Sequence, residues 1–392
     1  MAVSRTARVM SVLAATSLAF APAIPAAAQP SSTSSQPPSS GSSEPPPSSS
    51  SQPPSSTSSQ PSSTAPAGSM ATPPPLPANY PPPDDDGQPD RDYQLSRACV
   101  TSSDRSTKLP GKPWGQDRLR FDEIARFGYT GQGQRVAVID TGVSPHSYLA
   151  GRLTGGGDYV QRGGDGLQDC DGHGTEVAGI IAAKPTDPEI GFRGIAPDAQ
   201  IVSIRQSSGN FEFKDQASNQ TFNAGNLTTL AKAIVRAANA GVGVINMSVD
   251  SCRPTSAGAI TEPEKGVQAA LRYAVEEKNV VVVASAGNLP EGDCKEQNSA
   301  DPLNPTWLVI PPWFSDYVLS VAAVQRDGQV AQFSINGPWV SVAAPGTEII
   351  SLDPARTDGG LVNQTMDEKG SAQQIQGTSF AAPYVAGLAA LV

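Results

Sequence analysis

Five short apolar runs stand out along the chain, each closing on small or polar residues. They are Arg135–Asp140 (RVAVID), Gln200–Arg205 (QIVSIR), Val242–Val249 (VGVINMSV), Val280–Ala286 (VVVVASA) and Val318–Val324 (VLSVAAV). Continuous apolar runs, rather than strict alternation, mark strands covered on both faces. Two stretches instead repeat apolar residues at helical spacing. Leu227–Ala240 sets Leu227, Leu230, Ala233, Ile234 and Ala237 on one face, and Pro263–Lys278 does the same with Val267, Ala270, Leu271, Ala274 and Val275. Strands alternating with helices predict an α/β domain, a doubly wound and mostly parallel sheet flanked by helices. Ligands of such a sheet bind at the carboxyl ends of its strands. Two stretches break the pattern. Residues 206–226 are polar and predict an exposed loop. Gln29–Pro83 is almost entirely Ser, Pro, Thr, Gln and Ala, with Glu44 its only charge and Tyr80 its only aromatic residue. It cannot bury enough apolar surface to offset chain ordering, so it reads as a disordered or polyproline-like spacer.

Charge and leader narrow the classes. The chain carries 27 basic and 37 acidic residues, a formal net of −10. No three basic residues adjoin, so nucleic acid is not an expected partner. The only long apolar stretch is N-terminal, which excludes a polytopic membrane protein. Arg5 and Arg8, then Val9–Phe20, then Ala26-Ala27-Ala28 form the three parts of an export signal over residues 1–28. The mature protein is therefore expected outside the cytoplasm, where disulfides persist. The four cysteines suggest two bridges, with three pairings open. The acidic run Asp84-Asp85-Asp86 is expected to be solvated rather than to bind calcium.

The candidate chemistry sits where an α/β site belongs. Asp140 ends the first strand. His173 lies in DCDGHGTEVAGIIA, at the start of a helix whose core face is Val177, Ile180 and Ile181. Ser379 opens an apolar helix in GTSFAAPYVAGLAALV, where Gly377 allows a tight turn and Pro383 falls in the first turns, where a missing N–H costs least. A serine hydroxyl is a weak nucleophile until an imidazole accepts its proton, and a carboxylate fixes the imidazole's tautomer. A helix N-terminus directs free N–H groups at a developing oxyanion, so the Ser379 N–H is a natural first donor. The side-chain amide of Asn288, closing VVVVASAGN, is placed as the second. His146, in SPHSYL, follows a turn and has no comparable context. Asp169 and Asp171 flank His173 but read as loop residues, and Asn246 as a hydrogen-bonded core polar group.

At these residues the sequence resembles the subtilisin-like (S8) serine proteases, from about Gly131 to Val392. The resemblance includes D-T-G-V around Asp140, H-G-T around His173, G-I-A-P-D-A at 194–199, A-S-A-G-N ending at Asn288, and G-T-S-F-A-A-P. The resemblance implies a serine endopeptidase acting on protein or peptide substrates without a cofactor. Ser379 would be its nucleophile, His173 its general acid and base, Asp140 the orienting carboxylate and Asn288 the oxyanion donor. In the family's pattern Ser248-Val249-Asp250 and Ala284-Ser285-Ala286-Gly287 flank the substrate strand. Asp250 stands where many subtilisins have Gly, and its carboxylate would narrow the cleft or favour basic side chains. With an ordinary His pKa near ~6.5, activity would fall below neutrality.

A narrower resemblance is to the mycosins, the subtilisin-like proteases of actinobacterial type VII secretion systems. It rests on the leader, the Pro-rich extension, P-W-G-Q-D-R-L at 113–119 and the placement of the cysteines. It implies that the extension, 84–130, wraps the catalytic domain, 131–392. It also implies a type VII membrane complex as partner and a transmembrane anchor at the outer face of the cytoplasmic membrane. Subtilisin-like domains continue past the helix that opens at Ser379. The apolar end Ala386–Val392 would be left uncovered, so a further C-terminal part is expected. Cys252 and Cys294 follow strands that, as neighbours, would place both at one carboxyl edge and pair them, leaving Cys99 for Cys170. Zinc is not expected, since no C-x-x-C occurs and the nearby histidine is needed as base. Two other readings stay open: a structural subunit of a secretion complex, and a cell-wall stalk protein in which Gln29–Pro83 matters most.

Overall fold

A computed structural model describes residues 70–102, 109, 111–290, 294–356, 358–366 and 371–392. The export signal and residues 29–69 of the Ser/Pro-rich tract lie outside the described residues. The scaffold is a seven-stranded, wholly parallel sheet. In chain order its strands are β1 (Arg135–Asp140), β2 (Leu153–Asp158), β3 (Gln200–Arg205), β4 (Val244–Met247), β5 (Val281–Ser285), β6 (Leu319–Val324) and β7 (Val340–Pro345). Their spatial order is 7-6-5-4-1-3-2. From β1 the chain goes to the edge at β2 and returns to β3 beside β1. It then crosses to β4 and runs outward to β7, so the winding reverses between β1 and β4, where such sheets leave a crevice.

The helices that cover the sheet are α1 (His173–Ala182), α2 (Leu227–Asn239), α3 (Glu262–Arg272) and α4 (Thr378–Ala389). Side chains alternate across the sheet and divide the core in two. Val136 and Val138 of β1 pack with α1 and α4, while Ala137 and Ile139 pack with α2 and α3. Each fully buried Val or Ile here contributes about 1.5–3 kcal/mol. Asn226 and Thr261 cap α2 and α3 through capping boxes, and α3 runs on as a π-helical turn over Tyr273–Glu277. The end of α4 differs from expectation. Ala386, Ala390 and Leu391 are buried in the first core, and Val392 is exposed.

Two edge strands and a hairpin escaped the hydrophobic pattern. In β2 (LTGGGD) an added Cβ on Gly156 would lie 2.8 Å from both Ile204 and Val202, so glycine lets the edge strand close on its neighbour. Residues 206–226 are not a loop. Ser208–Lys214 and Thr221–Ala224 form an antiparallel hairpin, and Gln94–Leu95 adds a third strand. Phe211 drives this by packing with Tyr93, Val160 and Cys170 in a small core of its own.

The segment before the domain is also tied down. Met70–Pro83, expected to lack fixed structure, lies on α3 and its neighbours. Its carbonyls accept from Trp313 Nε1 (Met70 O, 2.9 Å), Gln268 Nε2 (Pro74 O, 3.1 Å) and Arg272 Nη1 (Pro77 O, 3.1 Å). Proline has lost its N–H but keeps its carbonyl, so such a strand docks wherever side-chain donors meet it. The acidic run is paired rather than simply solvated. Asp85 meets Arg236 at 2.9 Å and accepts from the Tyr159 hydroxyl at 2.6 Å, while Asp86 meets Lys232 at 3.0 Å. Further on, Trp114 donates to Thr347 O at 2.8 Å, and Phe121 is buried in the first core.

Arg272→Ala removes both bonds from Arg272 to this segment, at Pro77 O and Tyr80 O. Hydrogen bonds to charged donors contribute roughly 1.5–3 kcal/mol each, so proteinase K should cut within 70–83 at least about tenfold faster in the variant. Equal rates of cutting would contradict the docking.

Candidate functional site

The site is built at the crevice between β1 and β4. Asp140 is the last residue of β1 and is fully buried. An isolated buried carboxylate is costly unless donors surround it. Its Oδ1 accepts from the Thr141 N–H at 2.7 Å and lies 2.7 Å from His173 Nδ1. His173 is the first residue of α1, and its side chain is 28% exposed, so one ring edge faces the carboxylate and the other is open to the cleft.

Glycines allow these two elements to approach. Gly142 has φ +105, and a Cβ there would fall 2.0 Å from Gln168 O. A Cβ on Gly174 would fall 2.0 Å from Gly142 O and 3.1 Å from Asp140 Cβ. Only bare backbone fits between the end of β1 and the start of α1.

Ser379 is the second residue of α4. Gly377, with φ 152 and ψ 158, turns the chain into that helix in a conformation essentially restricted to glycine. Pro383 is the sixth residue of α4, past the positions where a missing N–H costs least, so its missing N–H deprives Ser379 O of its partner. Ser248, just past β4, supplies the replacement: its hydroxyl donates to Ser379 O at 2.7 Å. Buried Asn246 donates in turn to Ser248 Oγ at 3.0 Å. Asn288, past the end of β5, accepts at Oδ1 from the Thr378 N–H at 2.8 Å and the Thr378 hydroxyl at 3.0 Å. That leaves its amide hydrogens as the side chain's donors.

His173 and Ser379 line one cleft of about 620 Å³ together with Ser248, Val249 and Asp250. The other wall comes from residues 206–209 and 223–227, so the hairpin not foreseen in the sequence shapes the site. Ala284, Ser285, Ala286 and Gly287 are buried, and the cleft is not lined by them. Cys99 is bonded to Cys170, and Cys252 to Cys294. The first bond holds the segment before the domain three residues from His173. His146 is buried, with Nε2 3.1 Å from Gly360 O, and takes no part in the cleft. Asp169 and Asp171 are more than loop residues. Asp171 accepts from Gly209 N–H at 2.7 Å, and Asp169 accepts from the Thr141 hydroxyl and from the first turn of α1. Nothing in the spacing of DCDGHGT distinguished these carboxylates.

Charge around the imidazole is unusual. Burial pulls the His173 pKa down, but the charge and hydrogen bond of Asp140 outweigh it, with Glu176 and Asp169 adding, and push it up to about 9. Glu176, buried one turn along α1, is itself pushed up to about 8, first by burial. Among the described residues no lysine or arginine lines the cleft. Among the described residues no three His, Cys, Asp or Glu side chains gather as a metal site, and no helix is long and apolar enough to cross a membrane.

Comparison with known proteins places this geometry. The model of the subtilase family (Peptidase S8) matches residues 131–392. Mycosin-1 of Mycolicibacterium smegmatis is 40% identical over 323 residues, spanning 79% of this chain and 69% of that protein. Among solved structures, the MycP3 protease from the type VII (ESX-3) secretion system superposes with a TM-score of 0.72 at 40% identity, covering 82% of this chain and 87% of that one. A chain in the periplasmic assembly from the ESX-5 inner membrane complex does so with a TM-score of 0.72 at 39% identity, covering 82% and 83%.

The contact at Gly174 gives a direct check. Gly174→Ala should destabilise the domain by about 1–3 kcal/mol, the usual cost of overpacking, as read from the urea midpoint. A change below about 0.5 kcal/mol would mean that α1 is not pressed against the end of β1 as described.

Proposed function

The chain belongs to the subtilase family, and within it to the mycosins, and from that premise we propose that it is an exported endopeptidase working through Ser379, His173 and Asp140. Ser379 Oγ attacks the scissile carbonyl as His173 accepts its proton. Asp140 holds Nδ1 and stabilises the imidazolium, and the oxyanion forms against the Ser379 N–H and the Asn288 amide. His173 then returns the proton to the leaving amine, and water releases the acyl group from Ser379 by the same steps in reverse. The observation that carries this reading is the 2.7 Å contact between His173 Nδ1 and a fully buried Asp140, at the mouth of a cleft that Ser379 shares.

The setting we propose is a type VII secretion complex at the outer face of the cytoplasmic membrane, with secreted proteins as substrates. It is supported by the leader over residues 1–28, by two disulfides, and by the secretion-system assemblies in which similar chains have been solved. Substrate would lie along Ser248-Val249-Asp250, with 284–287 forming the buried floor behind it. Among the described residues Asp250 is the only carboxylate lining the cleft, and Ser285 Oγ donates to it at 3.3 Å. A basic substrate side chain is the complement of such a cleft.

The direct test is the rate of fluorophosphonate labelling across pH. Wild type should label and Ser379→Ala should not. The base must be neutral to accept a proton, and a raised His173 pKa makes the neutral form dominant only on the alkaline side. The labelling rate should therefore climb through pH values above 6.5, toward the value of about 9. A limb centred at or below 6.5 would be the wrong sign, and equal labelling of the Ser379→Ala protein would remove the nucleophile. For specificity, Asp250→Asn should lower kcat/KM for Lys or Arg relative to Leu by about fivefold, as a partly exposed ion pair allows. An unchanged peptide-library profile would exclude Asp250 as a selector.

A further inference from the structure

A second buried carboxylate lies beside the proposed triad and has no part in that chemistry. Asp169 Oδ1 accepts from the Gly172 N–H at 2.7 Å and the Thr141 hydroxyl at 2.9 Å. Its Oδ2 accepts from the Thr175 N–H at 2.8 Å and the Thr175 hydroxyl at 2.6 Å. Four donors converge on two oxygens, a lining that suits the ionised acid, while burial is the stronger influence and raises its pKa.

These bonds join two elements. Thr141 follows Asp140 directly, and its hydroxyl has a single proton to give. With that proton directed at Asp169, the oxygen accepts from the Gly174 N–H at 3.0 Å, in the first turn of α1. Gly172 and Thr175 bracket His173 in that same turn. The flanking residues hold Asp169 in place, since Cys170 is bonded to Cys99 and Asp171 is bound by Ser208 and Gly209.

We propose that Asp169 is a positioning residue for the reaction, fastening the end of β1 to the first turn of α1 so that Asp140 and His173 meet at hydrogen-bond distance. The inference rests on the roles proposed above for those two residues. Three carboxylates face His173: Asp140 from β1, Asp169 from the preceding loop and Glu176 from α1 itself. The neighbour from α4 is the uncharged Phe380 ring, 5.1 Å away between centroids.

The test compares peptide turnover across pH in wild type, Asp169→Asn, Thr141→Val, Thr141→Ser and Ser379→Ala. Asp169→Asn turns an amide N–H₂ toward groups that donate, so the clamp opens. Its kcat should fall about 100-fold with KM little changed, the scale of loss for a misplaced catalytic group. The acid limb should also move to lower pH, because a carboxylate that raises the His173 pKa has lost its charge. A lost helix cap alone would lower stability and leave kcat of the folded protein in place. Thr141→Val, which removes only the bridging hydroxyl, should fall about tenfold, and Thr141→Ser should restore the rate. Wild-type kcat in folded Asp169→Asn overturns the proposal. Should that variant not fold, equal rates in Thr141→Val and wild type overturn it instead. Turnover surviving in Ser379→Ala is a separate failure, and it removes the reading of the site on which this one stands.

Discussion

The hydrogen bond from His173 to Asp140 is the constraint around which the rest is arranged. A carboxylate with no exposed surface persists only where donors reach it, and here they come from its own turn and from the first residue of α1. That forces the start of α1 against the end of β1, leaving no room for side chains at Gly142 or Gly174. It also fixes where the cleft opens. β1 lies beside the reversal of strand order, so the loops after β4 and β5 converge on the same edge. The charge concentrated there lifts the His173 pKa to about 9, tying the availability of the base to the geometry of the pair.

The serine side of the cleft meets a different constraint. Pro383 inside α4 leaves the carbonyl of Ser379 without its helical partner, and an unpaired buried carbonyl costs about 1–3 kcal/mol. Ser248 meets that need from the end of β4, itself held by Asn246. A local fault in the helix thus becomes a tie between the nucleophile's backbone and the segment proposed to hold substrate. Asn288 is fastened to Thr378 in the same manner. The result is a helix N-terminus whose position is set by the sheet on two sides.

How much of this could be read from the sequence depended on whether the signal was local. Runs such as RVAVID and VVVVASA declare buried parallel strands, and the contexts of Asp140, His173 and Ser379 declare their places at element ends. The hairpin over 208–224 stayed hidden because it follows from one distant contact, Phe211 against Tyr93, rather than from sustained alternation. β2 was masked by three glycines, of which Gly156 allows close approach to Val202 and Ile204 while Gly155 and Gly157 meet Asp165 and Arg236. Met70–Pro83 carries no apolar pattern, and its order comes from donors on other elements, Trp313, Gln268 and Arg272. Asp169 and Asp171 looked alike in sequence. Only the fold distinguishes a carboxylate aimed at α1 from one aimed at the hairpin.

The most direct measurement is a crystal structure of the protein carrying a fluorophosphonate adduct. The account predicts phosphorus bonded to Ser379 Oγ, with its oxygen about 2.7–3.1 Å from both the Ser379 N–H nitrogen and the Asn288 amide nitrogen. The His173 to Asp140 contact should remain at 2.7 Å. An adduct on another residue, or an oxygen turned to solvent with Asn288 out of reach, would contradict it.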